Sequence, residues 1–223
     1  MIDLKNDNIT YPLGDPRKKT DVLICVDVDK TLTETDHVWR ARYQSHCVAP
    51  IPHRPVADDE ISVIWDHFHG ICRHCFMECL ESPNILLAHE ADARALEVMK
   101  SLVHDGVDGV TIGFHAVTAR PEKAIQPTLD WFGVHGFDRL LRGVTFTENK
   151  RPFIESLGAK AHIDDSHGVY RSMTSPVPSD VEMIFLLSSV RTDDRIERVY
   201  HDWNEVETRL REIAAAAKIE GIK

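Results

Sequence analysis

Apolar residues fall along this chain in two alternating rhythms. Short, nearly unbroken apolar runs occupy residues 21–27 (DVLICVD), 109–117 (GVTIGFHAV), 143–147 (GVTFT), 160–164 (KAHID) and 181–187 (VEMIFLL). Such runs predict buried strands of a parallel sheet, since strands covered on both faces show no polar side. Between them the apolar spacing changes to three and four. Residues 91–104 carry Leu96, Met99, Leu102 and Val103 at helical intervals before Gly106, and residues 121–133 open on Pro121 and close on Gly133. A last amphipathic stretch places Val199, Trp203, Val206, Leu210, Ile213 and Ala217 on one face. Residues 1–20, polar and broken by Pro12, Gly14 and Pro16, read as an irregular lead-in. Strands alternating with helices predict an α/β fold with a doubly wound parallel sheet.

One interval breaks the alternation. More than 80 residues separate the first two strands, far beyond one crossover helix. Part is Pro-rich (VAPIPHRPVADDE, residues 48–60) and part predicts a helix over residues 58–80. Residues 34–88 are therefore expected to form a mainly helical cap domain, and residues 1–33 with 89–223 the core domain. Within the insert, Cys72, Cys75 and Cys79 lie near His67, His69 and His74, which invites a zinc reading. Ile61, Ile64, Phe68, Cys72, Cys75 and Cys79 also form a single apolar stripe at helical spacing, so a packed cap helix is the preferred expectation.

Composition narrows the picture. The 223 residues are 43% hydrophobic and 28% charged, a globular balance. No run approaches the roughly 20 apolar residues of a membrane span, and the first residues lack a secretory leader pattern. The cysteines, Cys25, Cys47, Cys72, Cys75 and Cys79, are odd in number, which with no leader points to reduced thiols and a cytoplasmic setting. A net charge of -10 argues against a long nucleic acid as partner, though not against a small phosphorylated molecule in a locally basic cleft. Self-association is left open.

The candidate chemistry sits where strands end. The first strand runs into DVDKT, and in extended chain Asp27 and Asp29 point the same way. Two carboxylates at the carboxyl end of a central strand would share a cleft where open α/β sheets bind ligands. Their mutual repulsion calls for a hard cation such as Mg²⁺. Taken alone, the pair reads more readily as a turn that caps a helix or strand end. The second strand ends in VTARPE, where Thr118, with Ala119 beside it, can meet a phosphate. Lys150 follows the third strand and can offset phosphate and aspartate charge. Lys160 is its rival, less suited because it begins a strand. Asp164 and Asp165 end the fourth strand. His115, inside the second strand, reads as a core histidine.

This set of motifs resembles the haloacid dehalogenase-like superfamily. Asp27-Val28-Asp29-Lys30-Thr31, Thr118, Lys150 and Asp164-Asp165 match its DxDxT loop, Ser/Thr, Lys and acidic pair, over roughly residues 20–190. Lys30 departs from the pattern, since many members carry Gly there. The resemblance implies a Mg²⁺-dependent phosphatase of a small phosphorylated metabolite. Asp27 would be the nucleophile that forms an aspartyl-phosphate, and Asp29 the general acid and base. Asp27, Asp29 through its backbone carbonyl, Asp164 and Asp165 would hold the metal, and Thr118, Ala119 and Lys150 the phosphate. It also implies a mobile cap, where Glu34, His37, Arg40 and Arg42 become candidate substrate contacts. A phosphotransferase or a nucleic-acid end phosphatase of the same fold, and a non-enzymatic phosphate-binding protein, are the alternatives. A phosphonate-cleaving relative would want a cap lysine, and residues 34–88 contain none.

Overall fold

The computed structural model describes residues 8–15, 19–35, 38–39, 41–42, 45, 73–186 and 198–221. Nine strands are found among them: β1 (Ile9–Pro12), β2 (Val22–Val26), β3 (Thr33–Glu34), β4 (Glu90–Ala91), β5 (Ile112–Thr118), β6 (Leu141–Phe146), β7 (Ala161–Asp164), β8 (Glu182–Leu186) and β9 (Val199–Tyr200). The described α-helices are α1 (Arg73–Glu81), α2 (Pro83–Leu87), α3 (Ala93–Asp105), α4 (Ile125–His135), α5 (Lys150–Ser156), α6 (His167–Thr174) and α7 (Trp203–Gly221). The main sheet runs β1-β6-β5-β2-β7-β8-β9, parallel throughout except for β1, which pairs antiparallel with β6. The α/β doubly wound parallel sheet expected from the sequence is therefore present.

Strand β2 explains how the layers form. Its residues alternate between faces. Val22, Ile24 and Val26 join a large core with Val98, Met99 and Leu102 of α3, Trp131 and Phe132 of α4, and Val206 and Leu210 of α7. Cys25 joins a smaller cluster with Ile154 of α5 and Met173 of α6. A side chain of this size contributes about 1.5–3 kcal/mol on full burial, so β2, covered from both sides, is strongly held at the centre. Two indole N–H groups tie the outer layers inward. Trp203 of α7 donates to the Thr31 carbonyl at 3.0 Å, and Trp131 of α4 donates to the His89 carbonyl at 2.8 Å.

Several boundaries differ from expectation, each for a local reason. The lead-in is not wholly irregular, because Ile9–Pro12 pair along the edge of the sheet, where Pro12 is tolerated. Strand β5 begins at Ile112, since Val107 and Val110 close a tight turn on Asp108 and Gly109, both at positive φ. Helix α4 ends at Gly136 (φ 81°) rather than Gly133, and Pro121 is extended ahead of a single 3-10 turn. The left-handed C-cap requires Gly136; Gly133 lies inside the helix. Val199 belongs to β9, so α7 starts only at Trp203.

The insert is described only in part. Its returning half forms α1 and α2, separated at Ser82–Pro83, and α2 packs on α4. At its base β3 and β4 pair antiparallel, Thr33 with Ala91 and Glu34 with Glu90, so the chain leaves and re-enters the core side by side. Most of the helix expected over residues 58–80, and the side chains of His67, His69, Cys72, His74 and Cys75, lie outside the described residues, as does Cys47. Cys79, the described member of the stripe, is buried. No described helix is long and apolar enough to cross a membrane.

Candidate active site

In the sheet order, β5 and β6 lie to one side of β2 and β7 and β8 to the other, so the winding reverses beside β2. Crossovers diverge there and leave a crevice at the carboxyl ends of the strands. A cleft of about 1450 Å³ opens at that point. It is lined by Asp27 and Asp29 after β2, Thr118, Ala119 and Arg120 at the end of β5, Lys150 at the start of α5, and Asp165 after β7.

Lys150 organises the floor. Its ammonium donates to Asp27 Oδ1 at 2.6 Å and to Asp164 Oδ2 at 2.7 Å, with all three residues buried. Burial alone would lower its pKa, but Asp164 and Asp27 hold it well above the ordinary lysine value. Lys160, the rival by sequence, is exposed at the amino end of β7, the wrong end of the sheet.

The three carboxylates differ. Burial pushes the Asp27 carboxyl up to about 7 against the pull of Lys150, and neighbouring Asp164 and Asp29 push it the same way. Asp165 is also raised well above its ordinary value by burial, despite Lys30, and Asp164 and Asp27 add to the rise. Burial works to raise Asp164 too, but Lys150 and His162 hold it well below the carboxylate range. Its two oxygens already accept from Lys150, from His162 Nε2 at 2.9 Å and from the Ser166 amide at 2.8 Å. Oxygens of Asp27, Asp164 and Asp165 all lie within 4.8 Å of one another. Crowded, under-neutralised carboxylates of this kind suit a hard divalent cation with oxygen ligands such as Mg²⁺.

Asp29 is held differently. Arg120 grips it as a fork, Nε to Oδ2 at 2.9 Å and Nη2 to Oδ1 at 2.7 Å. The guanidinium is fully buried and is itself braced by Thr128 Oγ1 at 2.9 Å and His89 Nδ1 at 3.4 Å. Burial would raise the Asp29 carboxyl, but the charge and hydrogen bonds of Arg120 keep it below its ordinary value. Thr118 is buried beside this pair, its hydroxyl accepting from the Arg120 amide at 3.3 Å and its carbonyl from the Thr147 amide at 2.8 Å.

The structure thus brings Asp27, Asp29, Thr118, Ala119, Lys150, Asp164 and Asp165 to one edge of the sheet. The cap candidates fare differently. Glu34 lines the cleft beside Thr35 and Trp39. Arg42 is engaged by Glu78, with contacts of 2.6–3.1 Å. His37 and Arg40 lie outside the described residues. Two buried residues escaped the sequence reading. His162 was legible in principle, because it stands two residues before Asp164 on the same strand face, the rule that joined Asp27 to Asp29. Arg120 had no such signal, since nothing local says that it turns back towards the loop after β2. His115 proves to be a buried strand histidine, bonded to Thr145 Oγ1 at 2.9 Å.

No family model and no curated protein sequence matches this chain. Its fold is similar to that of solved structures with little sequence in common. A HAD-type hydrolase of Bacillus subtilis, solved bound to magnesium, aligns with a TM-score of 0.57 at 11% identity, covering 86% of this chain and 99% of that one. A predicted phosphatase of Clostridium acetobutylicum aligns at 0.56 and 10%, covering 87% and 100%. A haloacid dehalogenase-like hydrolase of Streptococcus pneumoniae aligns at 0.53 and 9%, covering 85% and 99%. These likenesses establish the haloacid dehalogenase-like fold.

Proposed function

We propose that this chain, built on the haloacid dehalogenase-like fold, is a Mg²⁺-dependent phosphatase that hydrolyses a small phosphorylated molecule through an aspartyl-phosphate on Asp27. The observation that carries this reading is the ammonium of Lys150 bridging Asp27 and Asp164 beneath a cleft that Asp29, Thr118 and Asp165 also enclose. That arrangement pairs a nucleophile with a phosphate-directed cation and a cation-seeking acidic cluster.

Asp27 and Asp165 would hold the ion, with the Asp29 carbonyl beside them. Asp164, already committed to three donors, stands behind and orients Lys150. A divalent cation bound there would draw charge from the phosphoryl oxygens as the transition state develops. Lys150 and the Thr118 hydroxyl meet the remaining phosphate oxygens. Asp27 attacks through a carboxylate oxygen, the Asp27 O–P bond forms, and the bond to the leaving oxygen breaks. Asp29, kept ionised by Arg120, is set up as the base that takes a proton from the hydrolytic water. To act as acid in the first half-reaction Asp29 must first take up a proton from solvent on an oxygen released by Arg120; it then gives that proton to the leaving oxygen and is left ionised, ready to act as the base. Residues 34–88 would act as the cap, moving about the β3–β4 junction to close over a small substrate.

The test is to supply a generic aryl phosphate with and without Mg²⁺. Turnover should vanish with chelation and return with Mg²⁺. A hydroxylamine-sensitive phosphoenzyme should be trapped on the unaltered chain but not on Asp27→Asn. Full turnover in excess chelator, or a phosphoenzyme on Asp27→Asn, refutes the reading.

A further inference from the structure

Two described residues other than glycine adopt a positive φ, Lys30 at 58° and Asp108 at 51°. Asp108 lies in a tight turn, where aspartate is among the tolerated residues. Lys30 is not of that class, since its long stem lacks the short polar group with which asparagine and aspartate bond the local backbone in the left-handed region. The turn nevertheless forces this conformation. The Leu32 and Thr33 amides donate to the Val28 carbonyl at 2.9 and 3.2 Å, and the Lys30 amide reaches Thr33 Oγ1 at 3.3 Å. Glycine would take the position without strain. A lysine at such a place points to use of its side chain.

That side chain enters the cleft. Its ammonium lies 4.0 Å from Asp165 Oδ2, with both side chains 21% exposed. The two lysines divide the acidic cluster between them. Lys150 contacts Asp27 and Asp164, and Lys30 faces Asp165. We infer that Lys30 is a tethered cation that competes with the divalent ion for Asp165, so that this chain binds the ion more weakly than its carboxylates alone would. The inference rests on the proposed metal role of Asp27 and Asp165. An ammonium about 4 Å from a ligand oxygen repels an ion coordinated there, and partial exposure screens that repulsion to roughly a tenfold effect on affinity.

The experiment is calorimetric titration of the full chain with Mg²⁺ alone. Lys30→Gln removes the charge and keeps most of the length. Lys30→Gly removes the charge and also relieves the turn, so it provides a well-folded charge-free variant if the glutamine variant folds poorly. Lys30→Arg keeps the charge. The glutamine and glycine variants should bind Mg²⁺ roughly tenfold more tightly than the unaltered chain, and the arginine variant within about twofold of it. Unchanged or weaker binding by the charge-free variants overturns the inference, as does equal tightening by arginine. A purely structural role would move the melting temperature without tightening Mg²⁺. If neither the unaltered chain nor any Lys30 variant binds the ion, the metal reading itself falls, and the inference with it.

Discussion

Removing Asp29 should destabilise this protein more than removing Arg120, and removing both should be milder than removing Asp29 alone. The two partners are unequally buried, the Arg120 side chain being 0% exposed and that of Asp29 20%. Asp29→Ala leaves a guanidinium in the interior whose remaining side-chain hydrogen bonds among the described residues go to the hydroxyl of Thr128 and a ring nitrogen of His89. An uncompensated buried charge of this kind costs about 3–5 kcal/mol. Arg120→Met replaces the guanidinium with an apolar chain of similar reach and leaves a carboxylate on the wall of the cleft, where water reaches it, for about 1–2 kcal/mol. The double variant carries neither charge and should be more stable than Asp29→Ala by about 1–3 kcal/mol. In a chain of this size 1 kcal/mol shifts the midpoint by about 2–4 °C, so Asp29→Ala alone should lower it by about 6–20 °C. The sign with pH follows from the lowered Asp29 pKa. The stability from the pair is complete above the ordinary 3.8 and is lost only as pH falls through the lower folded value, so pH 7 reports all of it. The assay is urea unfolding followed by circular dichroism for the three variants and the unaltered chain. A double variant no more stable than Asp29→Ala, or an Asp29→Ala cost below about 1 kcal/mol, refutes the reasoning.

Burial lowers the His115 pKa from 6.5 to about 4, and nearby Arg142 pushes it the same way. The unfolded chain therefore takes up a proton first as pH falls below 6.5, and stability should drop by about 2 kcal/mol by pH 5 from this residue alone. His115→Phe should remove that part of the acid sensitivity, and equal pH profiles for the two proteins would count against it. Gly143→Ala should cost about 1–3 kcal/mol, because a Cβ there meets His115 Cε1 and the Tyr11 carbonyl, each at 2.9 Å, and presses β1 off the sheet. Gly133→Ala, inside α4 with nothing within 4 Å, should instead stabilise by about 0.5–1 kcal/mol, and melting temperatures check both.

Local pattern determined the parts of this protein that depend on local physics. The strand over Val22–Val26 is apolar on both faces because helices cover both, and the same continuity marked β5, β6, β7 and β8. Period-two geometry joined Asp27 to Asp29, and strand ends pointed to Thr118, Lys150, Asp164 and Asp165. Tertiary structure decided what depends on distant partners. Edge strand β1 is short and Pro-ended, with Ile9 and Tyr11 as its inward residues, and it exists because β6 offers it unpaired backbone groups. Arg120 turns inward because Thr128, ten residues beyond Thr118 on α4, and Asp29, 91 residues before it, converge on one buried point. The turn at Lys30 is local, since the Val28 carbonyl gathers the Leu32 and Thr33 amides, but the Asp165 that its ammonium faces comes from the end of a distant strand. The division of Asp27, Asp164 and Asp165 among Lys150, His162 and Lys30 follows from the same convergence. Sequence spacing carries the direction of a side chain within its own element, but the charge it meets is set by crossovers that bring separate strand ends together.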